Sequence, residues 1–592
     1  MPKMRMRSVY DILMTHSHTL KLRGTNTGLR NLPHGPAESR QEISMSQTTV
    51  QYVLGRLRQL GITDIFGVPG DFAFPINDAI CQDKDLRFIG SCNELNAAYA
   101  ADGYARIKGF GAINTTYGPG ELSALCGVAG SYAENVPIFH LTGQPTLTTQ
   151  RSRAIVHHTL GNGEFNLFYE MTAPAVCART IISPENCVSE TERLIAAALY
   201  HRRPVYMAFP SDAANQKVIG AAQPLAEPQS DPVTLESVVN AIENAITRAK
   251  TACILPGILV ARLGLQPLAT AVVNASGLPF ATMMMDKTVL DETHPNYIGI
   301  YSGALAEESV RAFIEGVDCV LAIGAMPTDF NTGAFTANLD RSKTINVMHH
   351  RTRVGNAYYE NVEMKDVLTA LLEKLPKRTD IKGPKPSEFG EPQGKGSEKI
   401  TAEALYPRWG RFLKQDDILI SETGTNALGL AFARMPKGAT FHNQTLWGSI
   451  GWATPAAFGA ALAAPTRRVV LITGDGSHQL TAQEIGQFHR FGLKPIIFVL
   501  NNNGYLIERL LCKNPDMYYN DVAQWNYHLL PQALGCEGWF TARATTCDEL
   551  DAAMSTAEAC GTGAYVEVVT DKYVAPPVAM KMHESTKSLY KL

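Results

Sequence analysis

The chain predicts an α/β fold of three domains, each a parallel sheet flanked by helices. Three observations carry this. Short apolar segments alternate with helical patterns along most of the length, which is the rhythm of βα units. Polar and glycine-rich stretches follow those segments directly, at the strand carboxyl ends where open α/β sheets bind ligands. And 592 residues exceed what one hydrophobic core can organise.

Composition excludes several classes. An apolar share of 45 % with 8 % aromatic residues is ordinary for a soluble globular protein. A net charge of −3 gives no basis for binding nucleic acid or an anionic membrane surface. No apolar run reaches the roughly 18–20 residues of a membrane-spanning helix. The 11 cysteines are scattered without a CxxC, which argues against a zinc site or a disulfide scaffold. A reduced, cytoplasmic setting is expected.

Residues 1–44 carry seven Lys/Arg against three acids and show no sustained periodicity. Three readings compete: a disordered extension, a start placed too early with Met45 the true one, or an organellar transit peptide. The last lacks an amphipathic helix. The segment is expected to be poorly ordered and dispensable.

The first domain, 45–225, opens with an amphipathic helix over 48–60. Strands follow at Ile62–Pro69, Phe88–Ser91, Gly111–Thr116, Pro137–Thr142, Ala175–Ala178 and Pro204–Phe209. Asp71 closes the loop after the first strand. Cys92-Asn93-Glu94 follows the second and starts a helix over 94–108, where a glutamate is ordinarily a favourable charge near the helix dipole. His157 and His158 are adjacent imidazoles that can exchange protons near neutral pH; a surface pair is the plain alternative.

The central domain, 233–372, repeats the pattern with strands at Cys253–Pro256, Pro279–Met284, Cys319–Ile323 and Thr344–Val347. Its Gly324-Ala-Met-Pro327 is no dinucleotide fingerprint, so a structural role in subunit packing, without FAD, is expected. Residues 373–400, dense in Gly, Pro, Lys and Glu, read as a flexible linker.

The third domain, 401–575, precedes a tail over 576–592. Its strand Ile418–Ser421 runs into Glu422-Thr-Gly-Thr-Asn426. The most informative stretch is 467–509: a strand at Val469–Thr473, then Gly474-Asp475-Gly476-Ser477, a helix over about 480–489, and a strand at Pro495–Leu500 ending in Asn501-Asn-Asn-Gly504. Asp475, Asn502 and the Gly504 carbonyl are hard oxygen donors of the kind Mg²⁺ takes. The amides of Gly476 and Ser477, at a helix start, suit phosphate. A lone GDG is often only a tight turn. Followed 27 residues after its aspartate by Asn-Asn-x-Gly, it reads as a diphosphate–magnesium site.

GDGS…NNNGY resembles the signature of thiamine-diphosphate-dependent enzymes. Over about 45–575 the chain resembles the non-oxidative 2-oxo-acid decarboxylases, a group acting on pyruvate, indolepyruvate, phenylpyruvate and branched-chain acids. The resemblance implies the three-domain thiamine-diphosphate enzyme fold, with 45–225 binding the pyrimidine and 401–575 the diphosphate. Glu94, within CNELNAAYAADGYAR, would hydrogen-bond N1′ of the aminopyrimidine. Asp71, His157, His158 and Glu508 would form an acid–base cluster, with Glu508 partly buried beside the substrate carboxylate. Thr425, Gly474, Asp475, Gly476, Ser477, Asn502, Gly504 and Tyr505 would hold the diphosphate and Mg²⁺. Gly448, Ser449 and Ile450 would grip the aminopyrimidine, although Ile450 is equally a core residue.

Ala427 stands where pyruvate-specific bacterial relatives carry a tryptophan. With Leu428, Ile507 and Leu511 as further walls, it leaves room for a large side chain. The expectation is therefore indole-3-pyruvate or phenylpyruvate, with pyruvate or branched-chain 2-oxo acids as the alternative. A thiamine-dependent carboligase is a rival enzyme class, and a non-catalytic binding protein on a decayed thiamine fold is a rival outside enzymes. The family pattern also implies a dimer with shared active sites, commonly a dimer of dimers, and no nucleic-acid or membrane partner.

Overall fold

The computed structural model describes residues 47–220 and 227–586. The basic segment 1–44 and the end of the tail lie outside them.

Three six- or seven-stranded sheets organise the chain. The first comprises β1 (Asp64–Gly67), β2 (Arg87–Gly90), β3 (Gly111–Thr116), β4 (Ile138–Gln144), β5 (Ala178–Ile181) and β6 (Val205–Pro210). Its order is β2-β1-β3-β4-β6-β5, all parallel. The central sheet holds β7 (Ala252–Pro256), β8 (Phe280–Thr282), β9 (Tyr297–Ile300), β10 (Cys319–Ile323) and β11 (Thr344–Val347), to which β12 (Arg351–Val354) and β13 (Ala357–Glu360) add at one edge. The third holds β14 (Ile418–Ser421), β15 (Thr440–His442), β16 (Val469–Gly474), β17 (Ile496–Asn501), β18 (Phe540–Ala544) and β19 (Ala564–Val569), ordered β15-β14-β16-β17-β19-β18. The first and third sheets thus share one topology.

Several expectations need correction. The central sheet is mixed, because β12 and β13 form an antiparallel hairpin on β11. Its residues are largely polar and exposed, so no apolar run announces it. The strand expected at Ala175–Ala178 begins only at Ala178; the apolar residues before it form a single 3₁₀ turn at Ala173–Ala175. The helix expected over 480–489 is split. A short turn at Asp475–His478 is followed by a 3₁₀ turn at Ala482–Glu484 and a helix at Ile485–Arg490. Leu480, expected near the helix start, lies before it and is exposed, whereas Ile485 and Phe488 are buried as expected. The segment 576–592 includes a helix, Pro577–Thr586, whose Val578 and Ala579 pack with Leu428, Leu506 and Leu510.

The helix Glu94–Lys108 follows β2, and the helix Ala453–Ala463 occupies the equivalent place after β15. They cross backbone to backbone. A Cβ on Gly103 would stand 2.1 Å from the Ala456 carbonyl oxygen, and one on Gly459 would stand 1.8 Å from that of Ala100. Small residues at both faces make this approach possible, and Ala453–Ala463 is buried on every side, as expected of a helix apolar all round. Phe66, Tyr104, Ile113, Trp452, Phe458 and Phe488 belong to one cluster, so the first and third domains share a core. Within it Asp102 accepts from Trp452 Nε1 (2.9 Å), Arg106 Nε (2.6 Å) and Ser131 Oγ (2.8 Å), which satisfies a buried charge.

The 373–400 segment is anchored at both ends. Arg378 donates to the Ala249 and Lys250 carbonyls of the central domain, and Arg408 of the third domain donates to those of Gln393 and Gly394. All eleven cysteines are free thiols; Cys126, whose neighbours in sequence are apolar, is exposed.

Candidate active site

β16 and β17 are parallel neighbours in register, Gly474 beside Leu500, so the residues just past their ends meet. Asp475 is 1 % exposed. Its Oδ1 accepts from Gly476 N (2.7 Å) and its Oδ2 from Asn502 N (3.1 Å) and Gly504 N (3.0 Å). No cationic side chain pairs with it among the described residues. Burial accordingly pushes its carboxyl up to about 6, against the backbone N–H groups that favour the charge.

Gly504 has φ +143°, and a Cβ there would lie 2.1 Å from the Asn520 carbonyl oxygen. Only glycine fits this turn. The Tyr505 ring lies against Gly476. Across the cleft, the helix Thr425–Ala431 starts with Thr425 and Asn426 buried, and Asn426 Oδ1 has no partner among the described residues. Asn426 Nδ2 is 3.9 Å from where a Cβ on Gly474 would stand. A buried carboxylate without a cation, an orphaned amide oxygen and glycine-lined backbone form a cradle that fits a metal–diphosphate pair.

The 443–450 loop is braced from the first domain. Ser449 Oγ meets Tyr99 OH at 2.6 Å, Glu134 Oε1 accepts from Leu446 N (2.6 Å), and Arg106 donates to the Asn443 carbonyl (2.8 Å). Within the loop Ser449 N donates to Gln444 Oε1 (3.0 Å). Gly448 has φ +65°, and Ile450 is half-buried.

In the first domain the loops that follow β1 and β4 meet. Asp71 follows β1, and its Oδ2 lies 2.7 Å from His157 Nε2. The His157 ring stacks on Phe72 at 4.7 Å and meets His158 edge-on at 4.7 Å. Ligand atoms of Asp71, His157 and His158 all lie within 4.8 Å of one another. His158 Nδ1 is buried without a partner among the described residues. Glu94 is half-buried at its helix start, where Asn93 caps by accepting from Asn96 N (2.8 Å).

Three expected residues are placed otherwise. Glu508 is exposed, not partly buried, because the helix Leu506–Leu511 turns Leu506, Arg509 and Leu510 inward. No hydrogen bond or ion pair among the described residues joins it to the Asp71–histidine cluster. Ala427 and Leu428 line an open cleft with Met284, Phe330 and Phe441. Ile507 and Leu511 are half-buried and do not line it; the central domain supplies walls that local sequence could not reveal.

Sequence reasoning also missed Glu422, fully buried where β14 ends. It accepts from Thr423 N (3.1 Å) and Thr473 Oγ1 (3.3 Å), and burial raises its carboxyl to about 7. Its place in the ETG turn was visible, but its burial was not.

The chain matches the family profiles "Thiamine pyrophosphate enzyme, N-terminal TPP binding domain" over 47–165, the central domain of the same enzymes over 239–375, and their C-terminal TPP binding domain over 422–568. It is 37 % identical over 541 residues to an alpha-keto-acid decarboxylase of Mycobacterium leprae, covering 90 % of this chain and 95 % of the relative. It is 38 % identical over 529 residues to pyruvate decarboxylase isozyme 3 of Saccharomyces cerevisiae, covering 87 % and 93 %. The chain belongs to the thiamine-diphosphate-dependent 2-oxo-acid decarboxylase family. Among the described residues no helix is long and apolar enough to cross a membrane.

Proposed function

We propose that the chain converts 2-oxo acids to the aldehyde and CO₂ with thiamine diphosphate held through Mg²⁺, and that its substrates are pyruvate and branched-chain 2-oxo acids. The observation that carries the cofactor reading is Asp475, a buried carboxylate tied to Asn502 and Gly504 and paired with no cationic side chain among the described residues. Asp475, the Asn502 side chain and the Gly504 carbonyl would ligate Mg²⁺. Thr425, Gly474, Gly476, Ser477 and Tyr505 would surround the diphosphate, and Gly448, Ser449 and Ile450 the aminopyrimidine.

Thiamine diphosphate, when bound, supplies the electron sink that lets a carboxylate leave a 2-oxo carbon. The chain supplies the rest. Glu94 Oε holds a proton at the aminopyrimidine edge. His157, oriented by its bond to Asp71, and His158 move a proton to the product carbon. Glu508, at the exposed rim, assists product release.

We further propose that the site is completed by a second copy, with 45–225 of one chain facing 401–575 of the other. The support is that no hydrogen bond or ion pair among the described residues joins Asp71, Glu94 and the histidines to Asp475 and Asn502. Phe74, Leu446, Trp447 and Leu480 are large apolar side chains left exposed on the single chain. A dimer of dimers extends the same reading, and the reduced cytoplasm its setting.

One relative's name is the generic alpha-keto-acid decarboxylase and the other's names pyruvate, and neither names an aromatic acid, which favours pyruvate over the aromatic acids. The small Ala427 in its apolar cleft supports a second reading, a preference for phenylpyruvate or indole-3-pyruvate. Relative kcat/KM for pyruvate, 2-oxoisocaproate, phenylpyruvate and indole-3-pyruvate decides between them. Ala427→Trp fills the cleft, so it should lower kcat/KM for the two larger classes by about tenfold or more relative to pyruvate. An unchanged ratio would remove Ala427 from the substrate wall.

A further inference from the structure

The turn that presents Glu94 is held by the third domain. Glu484 Oε2 accepts from Cys92 N (3.2 Å) and from Asn96 Nδ2 (2.8 Å), and Cys92 Sγ contacts the Gln483 carbonyl at 3.4 Å. Residues 92 and 96 lie two positions to either side of Glu94. Asn96 N in turn donates to the cap Asn93 (2.8 Å), so the clamp closes on the whole turn.

Glu484 is 0 % exposed, and its Oε1 has no partner among the described residues. Burial raises its carboxyl, partly opposed by the bonds from Asn96 and Cys92 and by the nearby Ser91 side chain. A buried carboxyl with one oxygen unpaired is a poor choice for stability, since an apolar residue of similar volume would pack the junction at less cost. What the carboxylate adds is geometry: a single oxygen fixes both flanks of a three-residue segment across a domain boundary.

We propose that Glu484 is the positioning residue for Glu94, setting the direction of its carboxylate without touching reacting atoms. This rests on the role of Glu94 proposed above. Glu484 also lies nine residues beyond Asp475. Where sites are shared between two copies, it therefore ties the acid serving one site to the metal segment of the other.

The test compares Glu484→Ala, Glu484→Gln and Asn96→Ala in the full chain. Glu484→Ala removes the clamp, Glu484→Gln keeps an acceptor oxygen, and Asn96→Ala removes one donor. In the cofactor-free chain, hydrogen exchange of backbone amides 91–97 should quicken by about tenfold or more in Glu484→Ala. In chain loaded with thiamine diphosphate and Mg²⁺, exchange of the thiazolium C2 proton and kcat should each slow by about tenfold to a hundredfold. KM and cofactor Kd should stay close to wild type. Glu484→Gln should recover most of both effects, and Asn96→Ala should show both in smaller degree.

If Glu484→Ala leaves amide exchange and C2 exchange within twofold of wild type, the inference is wrong. It is equally wrong if Glu484→Gln and Asn96→Ala lose cofactor affinity, kcat and Tm in parallel, which a merely structural role predicts. Should Glu484→Ala fail to fold, those two variants decide on the same readouts. Protected 91–97 amides in a wild type that turns over no 2-oxo acid would overturn the functional reading and leave the clamp standing.

Discussion

Glu94→Gln lowers kcat for every accepted 2-oxo acid by about two to four orders of magnitude, the range a positioned acid–base group supplies. The amide is nearly the same size and keeps the helix start, because Asn93 provides the cap. What it loses is the ability to hold a proton that the aminopyrimidine can use. KM and thiamine diphosphate affinity should therefore move far less than kcat, a split that steady-state kinetics and cofactor titration resolve. A parallel loss of cofactor affinity would mean that Glu94 is a binding residue, or only the helix-start charge its position permits.

Asp475→Ala abolishes magnesium-dependent cofactor binding. If it ligates the metal as proposed, its loss should cost at least the roughly 100-fold in affinity that changes one shell further out can cost. Isothermal titration with thiamine diphosphate at fixed Mg²⁺ reads the loss. The same carboxyl predicts a stability effect in the cofactor-free chain. Its folded pKa is raised from 3.8 to about 6, so it contributes stability that is full below 3.8 and is lost as pH rises through about 6. Asp475→Asn should flatten that part of the Tm–pH profile. The two lesions also test the shared site. Mixing Glu94→Gln with Asp475→Ala chains, each inactive alone, should restore about a quarter of wild-type activity, since half the dimers are hybrids with one of two sites intact. No recovery after verified subunit exchange would place the whole site within one chain.

Much of the scaffold was legible because its strands are short apolar runs punctuated by glycine, proline and polar loops. Gly111–Thr116, Cys319–Ile323, Thr344–Val347, Ile418–Ser421 and the helix Glu94–Lys108 fall where the periodicity puts them. The meeting of Asp475 with Asn502 was legible too, since both follow the ends of adjacent parallel strands. Local pattern failed where long-range packing decides. The antiparallel hairpin at 351–360 has no apolar signal because it is an exposed edge. Glu508 could be placed on a helix, but its outward phase depends on Leu506 and Leu510 finding the C-terminal helix. Met284 and Phe330 reach the Ala427 cleft from another domain. Glu484 clamps a turn 392 positions away, a relation no spacing rule contains.

The measurement that bears most directly on the central claim is the product balance of purified chain with thiamine diphosphate, Mg²⁺ and pyruvate or 2-oxoisocaproate. Carbon dioxide and free aldehyde should appear in equal amounts, in step with loss of the 2-oxo acid, and only when both cofactors are present. An acyloin as the main product, or no turnover of any 2-oxo acid by chain that binds the cofactor, would contradict it.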